Sequence, residues 1–204
     1  MPTQAYAVVL AAGSGSRFGG GKLVAPFRGK PLVTHAALAV AEAIGRGLLA
    51  GGVAVLPERD AQLAWHLDLA GLRPIENPEA GTGLASSLRC GLAAIEDLPD
   101  AGAALIVLAD QPFLRVEVIE ALVAAWRKQG RSARPRYAAR PDAPGHPVLL
   151  DRGLWHLARE LTGDHGLGAL LASRPEAMTT VDVSGANPDV DTRGDLSQLE
   201  GQDG

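Results

Sequence analysis

Between its first apolar run and Lys22 the chain reads Leu10-Ala11-Ala12-Gly13-Ser14-Gly15-Ser16-Arg17-Phe18-Gly19-Gly20-Gly21-Lys22. Glycines let successive backbone N–H groups turn inward around an anion, and Arg17 and Lys22 place two cations on the same loop. That combination suits a polyphosphate. A dinucleotide fingerprint would need glycine where Phe18 stands, and a Walker-type loop would need Ser or Thr where Leu23 follows Lys22, so neither applies. A flexible glycine linker with solvated charges has the same composition. The carboxyl end of a first strand is, however, where α/β sheets bind ligands.

Asp110 closes the most apolar stretch of the chain, just before Gln111 and Pro112. A carboxylate exposed at a sheet's carboxyl edge suits Mg²⁺ shared with phosphate oxygens. The competing reading is a cap for a helix beginning near Arg115. Asp189 and Asp191 would point the same way on an extended segment, either completing a metal site or serving turn chemistry with Asn187 and Pro188. Ser86 and Ser87 lie inside a helical pattern, where paired serines commonly mark a solvated or small-residue packing face. His35, His66, His146, His156 and His165 have no zinc-ligand spacing, and Cys90 sits in an apolar helical context, so zinc is not expected. His146, between Gly145 and Pro147, is a candidate for ligand contact or a loop residue. Arg127, Lys128, Arg131, Arg134, Arg136 and Arg140 form a basic stretch, either a solvated helix end or a collar for an anionic ligand or acidic partner.

Elements that could position these residues alternate. Tyr6–Ala11, Gly51–Leu56, Leu72–Ile75 and Ala103–Ala109 read as strands. Leu32–Ile44 (opened by Pro31), Asp60–Leu69, Thr82–Ile95 and Val116–Lys128 read as helices. Later stretches are less regular: Arg136–Arg140, Pro147–Leu150 and Thr179–Val183 as strands, Leu154–Leu161 and Leu167–Ser173 as helices. The alternation predicts a single-domain, Rossmann-like, three-layer α/β/α fold with a mostly parallel sheet over residues 1–197, and a frayed tail over 198–204. A chain of 204 residues buries about 70% of its extended surface, enough for a core without staples. One cysteine excludes an intramolecular disulfide and favours a reducing compartment. The net charge of −4 argues against general nucleic-acid binding. With no basic, apolar leader and no apolar run near 20 residues, a cytoplasmic protein without membrane contact is expected.

The ordered set of motifs resembles the MobA-like nucleotidyltransferases, and within them the molybdenum cofactor cytidylyltransferases. The resemblance runs through the glycine loop with Lys22, Gly29-Lys30-Pro31-Leu32, Asn77-Pro78 with Gly81, and Ser86-Ser87-Leu88. It continues through Leu108-Ala109-Asp110-Gln111-Pro112, Gly145-His146-Pro147, Gly163-Asp164 with Gly166, and Asp189-Val190-Asp191-Thr192 with Asp195-Leu196. It implies a nucleotidyltransferase-type fold and attack by an acceptor phosphate on the α-phosphorus of a nucleoside triphosphate. It also implies roles. Leu10, Ala11, Ala12, Gly13, Ser14, Gly15, Arg17, Lys22, Asn77, Gly81, Ser86 and Ser87 would bind the nucleotide, with Arg17, Lys22 and Asp110 catalytic. Asp110 and Asp191 would hold Mg²⁺, while Gln111, Pro112, His146 and Asp164 would face the acceptor.

In the resembled family, cytidylyltransferases carry two alanines where Ala11 and Ala12 stand, while guanylyltransferases carry Ala or Gly followed by Gly. Two methyls narrow a base slot, which implies CTP. The implied acceptor is the molybdopterin-type cofactor, with a molybdoenzyme receiving the product. One position departs from the pattern: the family arginine two residues beyond Gly166 is Gly168 here. The rivals are transfer to another small phosphorylated acceptor or from another nucleotide, a nicotinamide-dependent oxidoreductase like a nicotine blue reductase relative, and a cofactor-binding chaperone without turnover.

Overall fold

The first apolar run forms β1 (Gln4–Leu10), a strand buried on both sides from Ala7 onward. Its neighbours are the parallel strands β4 (Gly52–Pro57) and β6 (Ala101–Leu108), and β5 (Arg73–Asn77) adds to β4 in parallel. This is a computed structural model, and it describes residues 3–13, 15–143, 145–164, 167–172 and 174–201. Beyond β6 the sheet changes hand: β8 (Val148–Asp151) runs antiparallel to β6. β7 (Ser132–Tyr137) and β9 (Met178–Val183) then resume the parallel direction, giving the order β5-β4-β1-β6-β8-β7-β9.

Helices cover both faces because side chains alternate along each strand. Ala5, Ala7, Val9 and Ala11 pack against α1 (Leu32–Gly45), α2 (Ala61–Asp68) and α4 (Val116–Gln129). Val8, Leu10 and Ala12 pack against α3 (Leu84–Glu96), 3-10 turns over Arg152–Glu160 and α5 (Leu167–Ala172). The expected single-domain α/β sandwich is therefore what forms. Pro31 takes the N-cap position of α1, and the Asp60 carboxylate caps α2 by accepting from the Leu63 N–H at 3.0 Å. Among the described residues no helix is long and apolar enough to cross a membrane.

Three elements differ from the sequence reading. β7 begins at Ser132, four residues before the expected Arg136, because Ala133, Pro135 and Tyr137 alternate inward while two arginines disguise the period. A two-residue hairpin, β2 (Pro26–Phe27) and β3 (Lys30–Pro31), turns through Arg28 and Gly29, both at positive φ. The helix α6 (Arg193–Glu200) occupies the start of the stretch expected to fray, and it buries Leu196 and Leu199.

α6 is fixed at its start by a reciprocal cap. The Thr192 hydroxyl accepts from the Asp195 N–H, and the Asp195 carboxylate accepts from the N–H groups of Thr192 and Asp191 at 2.7 and 3.0 Å. The backbone N–H of Thr192, followed by its hydroxyl, holds the Asp195 carboxyl below the usual carboxylate range. A depressed carboxyl contributes stability that is full above the ordinary carboxylate pKa and lost as pH falls through the folded value. Asp195→Ala is expected to lower Tm at neutral pH, with the gap to wild type closing only in acid below that ordinary pKa. Melts across pH check this, and a gap independent of pH would remove the ionic part of the cap.

Candidate functional site

Lys22 sits in a short 3-10 turn (Lys22–Val24), with its ammonium 2.6 Å from Asp110 Oδ2 and 3.8 Å from Asp191 Oδ1. Arg17, in the preceding turn (Ser16–Phe18), reaches Asp191 Oδ2 at 3.0 Å. The Lys22 and Asp110 side chains are only 11% and 22% exposed, whereas Arg17 is 73% exposed. Water screens the Arg17 contact to at most about 1 kcal/mol, while the Lys22–Asp110 pair feels a lower dielectric. Gly15, at φ 58, lets the loop fold back over Lys22, since a Cβ there would lie 3.2 Å from the lysine Cβ.

Asp110 follows Ala109, the residue after β6. The Ala109 N–H donates to the Leu10 carbonyl, and the Val190 N–H donates to the Asp110 carbonyl at 3.0 Å. The helix after it starts at Val116 with Arg115 at the N-cap and no side-chain cap, so the capping alternative for Asp110 falls away. Val190 is wholly buried with Phe18, Phe27, Leu32, Leu196 and Leu199, while Asp189 and Asp191 on either side of it line the cleft. Their roles separate there. Asp189 accepts from Gln111 Nε2 at 2.7 Å, and Gln111 in turn accepts from Asn187 Nδ2. Burial pushes the Asp189 carboxyl up, Gln111 opposes the rise, and Asp110 and Asp191 add to it. Asp191 is the residue that shares the lysine's ammonium with Asp110.

These groups lie in a cleft of about 630 Å³ at the carboxyl ends of β1 and β6. Leu10, Ala11, Ala12, Gly13, Gly15, Arg17 and Lys22 line it from the loop side. Gly81, Ser87 and Asp164 face them, together with Asp110 and Asp191. The first turn of α3 opens here, with the Ala85 and Ser86 N–H groups taken by the Gly163 and Gly83 carbonyls.

Five expected residues stand back from the lining. Asn77 and Ser86 are buried: Asn77 Nδ2 donates to the hydroxyls of Ser86 and Ser87, and Ser86 donates to the carbonyls of Glu79 and Gly83. They brace the segment that presents Gly81 and Ser87. Gln111 and Pro112 are likewise buried, Gln111 as the strut between Asn187 and Asp189. His146 precedes a cis peptide bond to Pro147 and keeps its Nδ1 buried without a hydrogen-bond partner. Burial lowers its pKa, the Asp110 carboxylate opposes this, and Arg134 adds to it. Ser14 and Gly166 lie outside the described residues.

Sequence reasoning missed Thr82 and Gly83, which line the cleft opposite the loop. Gly83 has φ 114, and a Cβ on it would lie 2.4 Å from the Gly163 carbonyl carbon. Glycine there lets the Gly163–Asp164 turn approach close enough for the Gly163 carbonyl to accept from the Ala85 N–H. The signal available was a Gly next to Thr82 at the start of the helical pattern, a position where glycine costs helix stability unless something needs the space.

Among the described residues no three His, Cys, Asp or Glu side chains gather as a metal site. Asp110 and Asp191 do converge on one cation, the Lys22 ammonium, and two hard carboxylates completed by phosphate oxygens are a donor set that fits Mg²⁺.

A family model described as the MobA-like NTP transferase domain matches residues 7–178. No curated protein sequence matches the chain significantly. Among solved structures, Rv0371c from Mycobacterium tuberculosis H37Rv is 28% identical over 99% of this chain and 100% of its own, with a TM-score of 0.81. Its homologue from Mycobacterium sp. strain JC1 is 26% identical over 98% and 96%, with a TM-score of 0.78. A CMP:2-keto-3-deoxy-manno-octonic acid synthetase solved with CTP shares the fold at 16% identity over 97% of each chain, with a TM-score of 0.70.

Gly83→Ala is expected to cost about 1–3 kcal/mol for the backbone conformation alone, more if the Gly163–Asp164 turn is pushed away. Denaturant midpoints measure the loss. An unchanged midpoint would mean that the close approach is not required.

Proposed function

Because the chain belongs to the MobA-like NTP transferase family, we propose that it transfers CMP from CTP to the terminal phosphate of a molybdopterin-type molybdenum cofactor, releasing pyrophosphate. The observation that carries this is the Lys22 ammonium held between Asp110 and Asp191 at the edge of a glycine-loop cleft. An oxygen of the acceptor phosphate attacks the α-phosphorus, the bond to the bridging oxygen breaks, and pyrophosphate leaves with the electron pair. Little covalent work falls to the protein, so orientation and charge stabilisation supply the rate. The loop amides and Arg17 hold the departing β- and γ-phosphates. Lys22 stabilises charge on the α-phosphate as it becomes five-coordinate. Asp110 and Asp191 are the residues that would hold Mg²⁺, which when bound neutralises triphosphate oxygens.

CTP is favoured because Ala11 and Ala12 are both nearly fully buried at the cleft, and the Ala12 methyl on its α3 side leaves less room for a purine. The synthetase sharing this fold was solved with the same nucleotide. The free thiol of Cys90 suits a reducing, cytoplasmic setting, with a molybdoenzyme as recipient of the product. A different small phosphorylated acceptor is the second reading. It is favoured by Gly168, where the resembled family carries an arginine.

Thermal shift with Mg²⁺ is expected to show greater stabilisation by CTP than by GTP. Ala12→Gly should narrow the gap by about 1–3 kcal/mol in discrimination. Equal stabilisation of the wild type by both nucleotides would leave the pyrimidine assignment without support.

Incubation with CTP, Mg²⁺ and molybdopterin cofactor tests the reaction through pyrophosphate release. Lys22→Ala is expected to lower kcat on the order of 10²–10³ with little change in CTP affinity, since its contact strengthens in the transition state. Asp110→Asn should also abolish turnover while the protein stays folded. If calorimetry shows Lys22→Ala losing CTP binding while kcat holds, the lysine is an anchor and not a catalytic group.

A further inference from the structure

We propose that Arg28 is a positioning residue of the transfer site: it clamps the end of α6 onto the segment that follows Asp110 and so sets the gap between Asp110 and Asp191. The proposal rests on the nucleotidyl-transfer reading of the cleft and adds a residue that lies outside its lining.

Backbone conformation first singles Arg28 out. Phe27 pairs with Lys30, so the β2–β3 hairpin turns on Arg28 and Gly29 alone, at φ 46 and 79. Asn-Gly is the pair such a turn prefers, because a larger L-residue is strained at positive φ. An arginine held there against its own backbone preference implies a use for its side chain. The hairpin that carries it is well seated. His35 Nε2 donates to the Phe27 carbonyl at 2.8 Å, and the Phe27 ring is buried with Val190, Leu196 and Leu199.

The side chain grips three segments at once. Its guanidinium carbon lies 5.5 Å from the centre of the Phe27 ring and 5.0 Å from that of Phe113, and the two rings meet edge to face. Its Nη2 donates to the Leu199 carbonyl at 3.2 Å, while the Arg28 backbone N–H reaches the Glu200 carboxylate at 3.4 Å. Leu199 belongs to the last turn of α6, whose carbonyls have no partner within the helix. A cation there also meets the negative end of the helix dipole. Phe113 lies three residues after Asp110, and its N–H donates to Asn187 Oδ1 at 3.1 Å.

The helix carries this grip to the site. Thr192 caps α6, so Asp191 is joined directly to its start, about 10 Å along the axis from Leu199. Between the two carboxylate segments runs the backbone bond from the Val190 N–H to the Asp110 carbonyl. Released at Leu199, the helix can tilt, and the tilt moves Asp191 away from Lys22 and Asp110. The two carboxylates converge on one cation only while both segments are held.

The test compares the full wild-type chain with Arg28→Asn, which suits the turn but lacks the guanidinium, and Arg28→Lys, which keeps the charge. Thermal melts establish that the variants fold. Hydrogen exchange reads the clamp without ligand: the Val190 N–H is expected to exchange about tenfold faster in Arg28→Asn, with the β1 and β6 amides unchanged. Mn²⁺ titration followed by electron paramagnetic resonance reads the donor set, with α,β-methylene CTP present because it cannot transfer. Affinity is expected to fall about tenfold in Arg28→Asn and to recover in part in Arg28→Lys. A residue that merely makes the turn predicts no loss in either measurement, since Asn suits that turn, and that result would overturn the proposal. Faster exchange with unchanged Mn²⁺ affinity would also overturn it. Failure of the wild type to bind Mn²⁺ and the analogue would instead sink the transfer reading and the positioning role with it, leaving the exchange result to stand for the clamp alone.

Discussion

A single ammonium group shared by two carboxylates organises the site, and the three side chains come from regions far apart in sequence. Lys22 follows the glycine loop, Asp110 lies two residues beyond β6, and Asp191 precedes α6. The two carboxylates repel each other across a half-buried cleft, and the ammonium between them supplies the opposite charge. Together they are tolerable, and the arrangement leaves a cation position with oxygen donors at the edge of a nest of backbone amides. Phosphoryl chemistry needs that juxtaposition of positive charge, anion-binding backbone and carboxylate.

The geometry of the shared charge is set by apolar packing elsewhere. Phe18, beside Arg17, and Val190, between the two aspartates, are buried in one small cluster with Phe27 of the hairpin and Leu196 and Leu199 of α6. This cluster stands apart from the two large cores on the sheet faces. It locks the glycine loop to the aspartate segment, while the backbone bond from Val190 to the Asp110 carbonyl ties that segment to β6. Gln111, Asn187 and Asp189 then form a polar strut behind the cleft, which is why residues named by motif alone turn out to support the wall instead of lining it.

Much of this was readable in the residues, for reasons that differ by element. β1 and β6 are short apolar runs buried on both faces, and such runs announce themselves without any period. The loop and Asp110 were legible because glycines and a carboxylate at strand ends have few other uses. The Asp189–Asp191 spacing needed only an extended backbone to be meaningful. β7 was misplaced because Arg134 and Arg136 interrupt its apolar residues and Pro135 imitates a breaker. α6 was overlooked although Thr192 and Asp195 spell its cap, since polar residues near a chain's end resemble a tail. The bracing roles of Asn77, Ser86 and Gln111 depend on distances across the fold, and no local pattern encodes them. Gly83 is the converse case, a residue whose importance is that it has no side chain.

The small apolar cluster also joins the two ends of the chain, Phe18 and Phe27 near its start and Val190, Leu196 and Leu199 near its end. Synthesis proceeds from the N-terminus, and a domain folds as a unit once its segments are available. A nascent chain that has emerged through β9 already carries every strand of the sheet, the glycine loop and Asp110. It still lacks Asp189 and Asp191, and Val190, Leu196 and Leu199 are not yet there to complete the cluster around Phe18 and Phe27. The last residues to be added therefore complete the site: without residues 189–199, Lys22 has Asp110 but not Asp191.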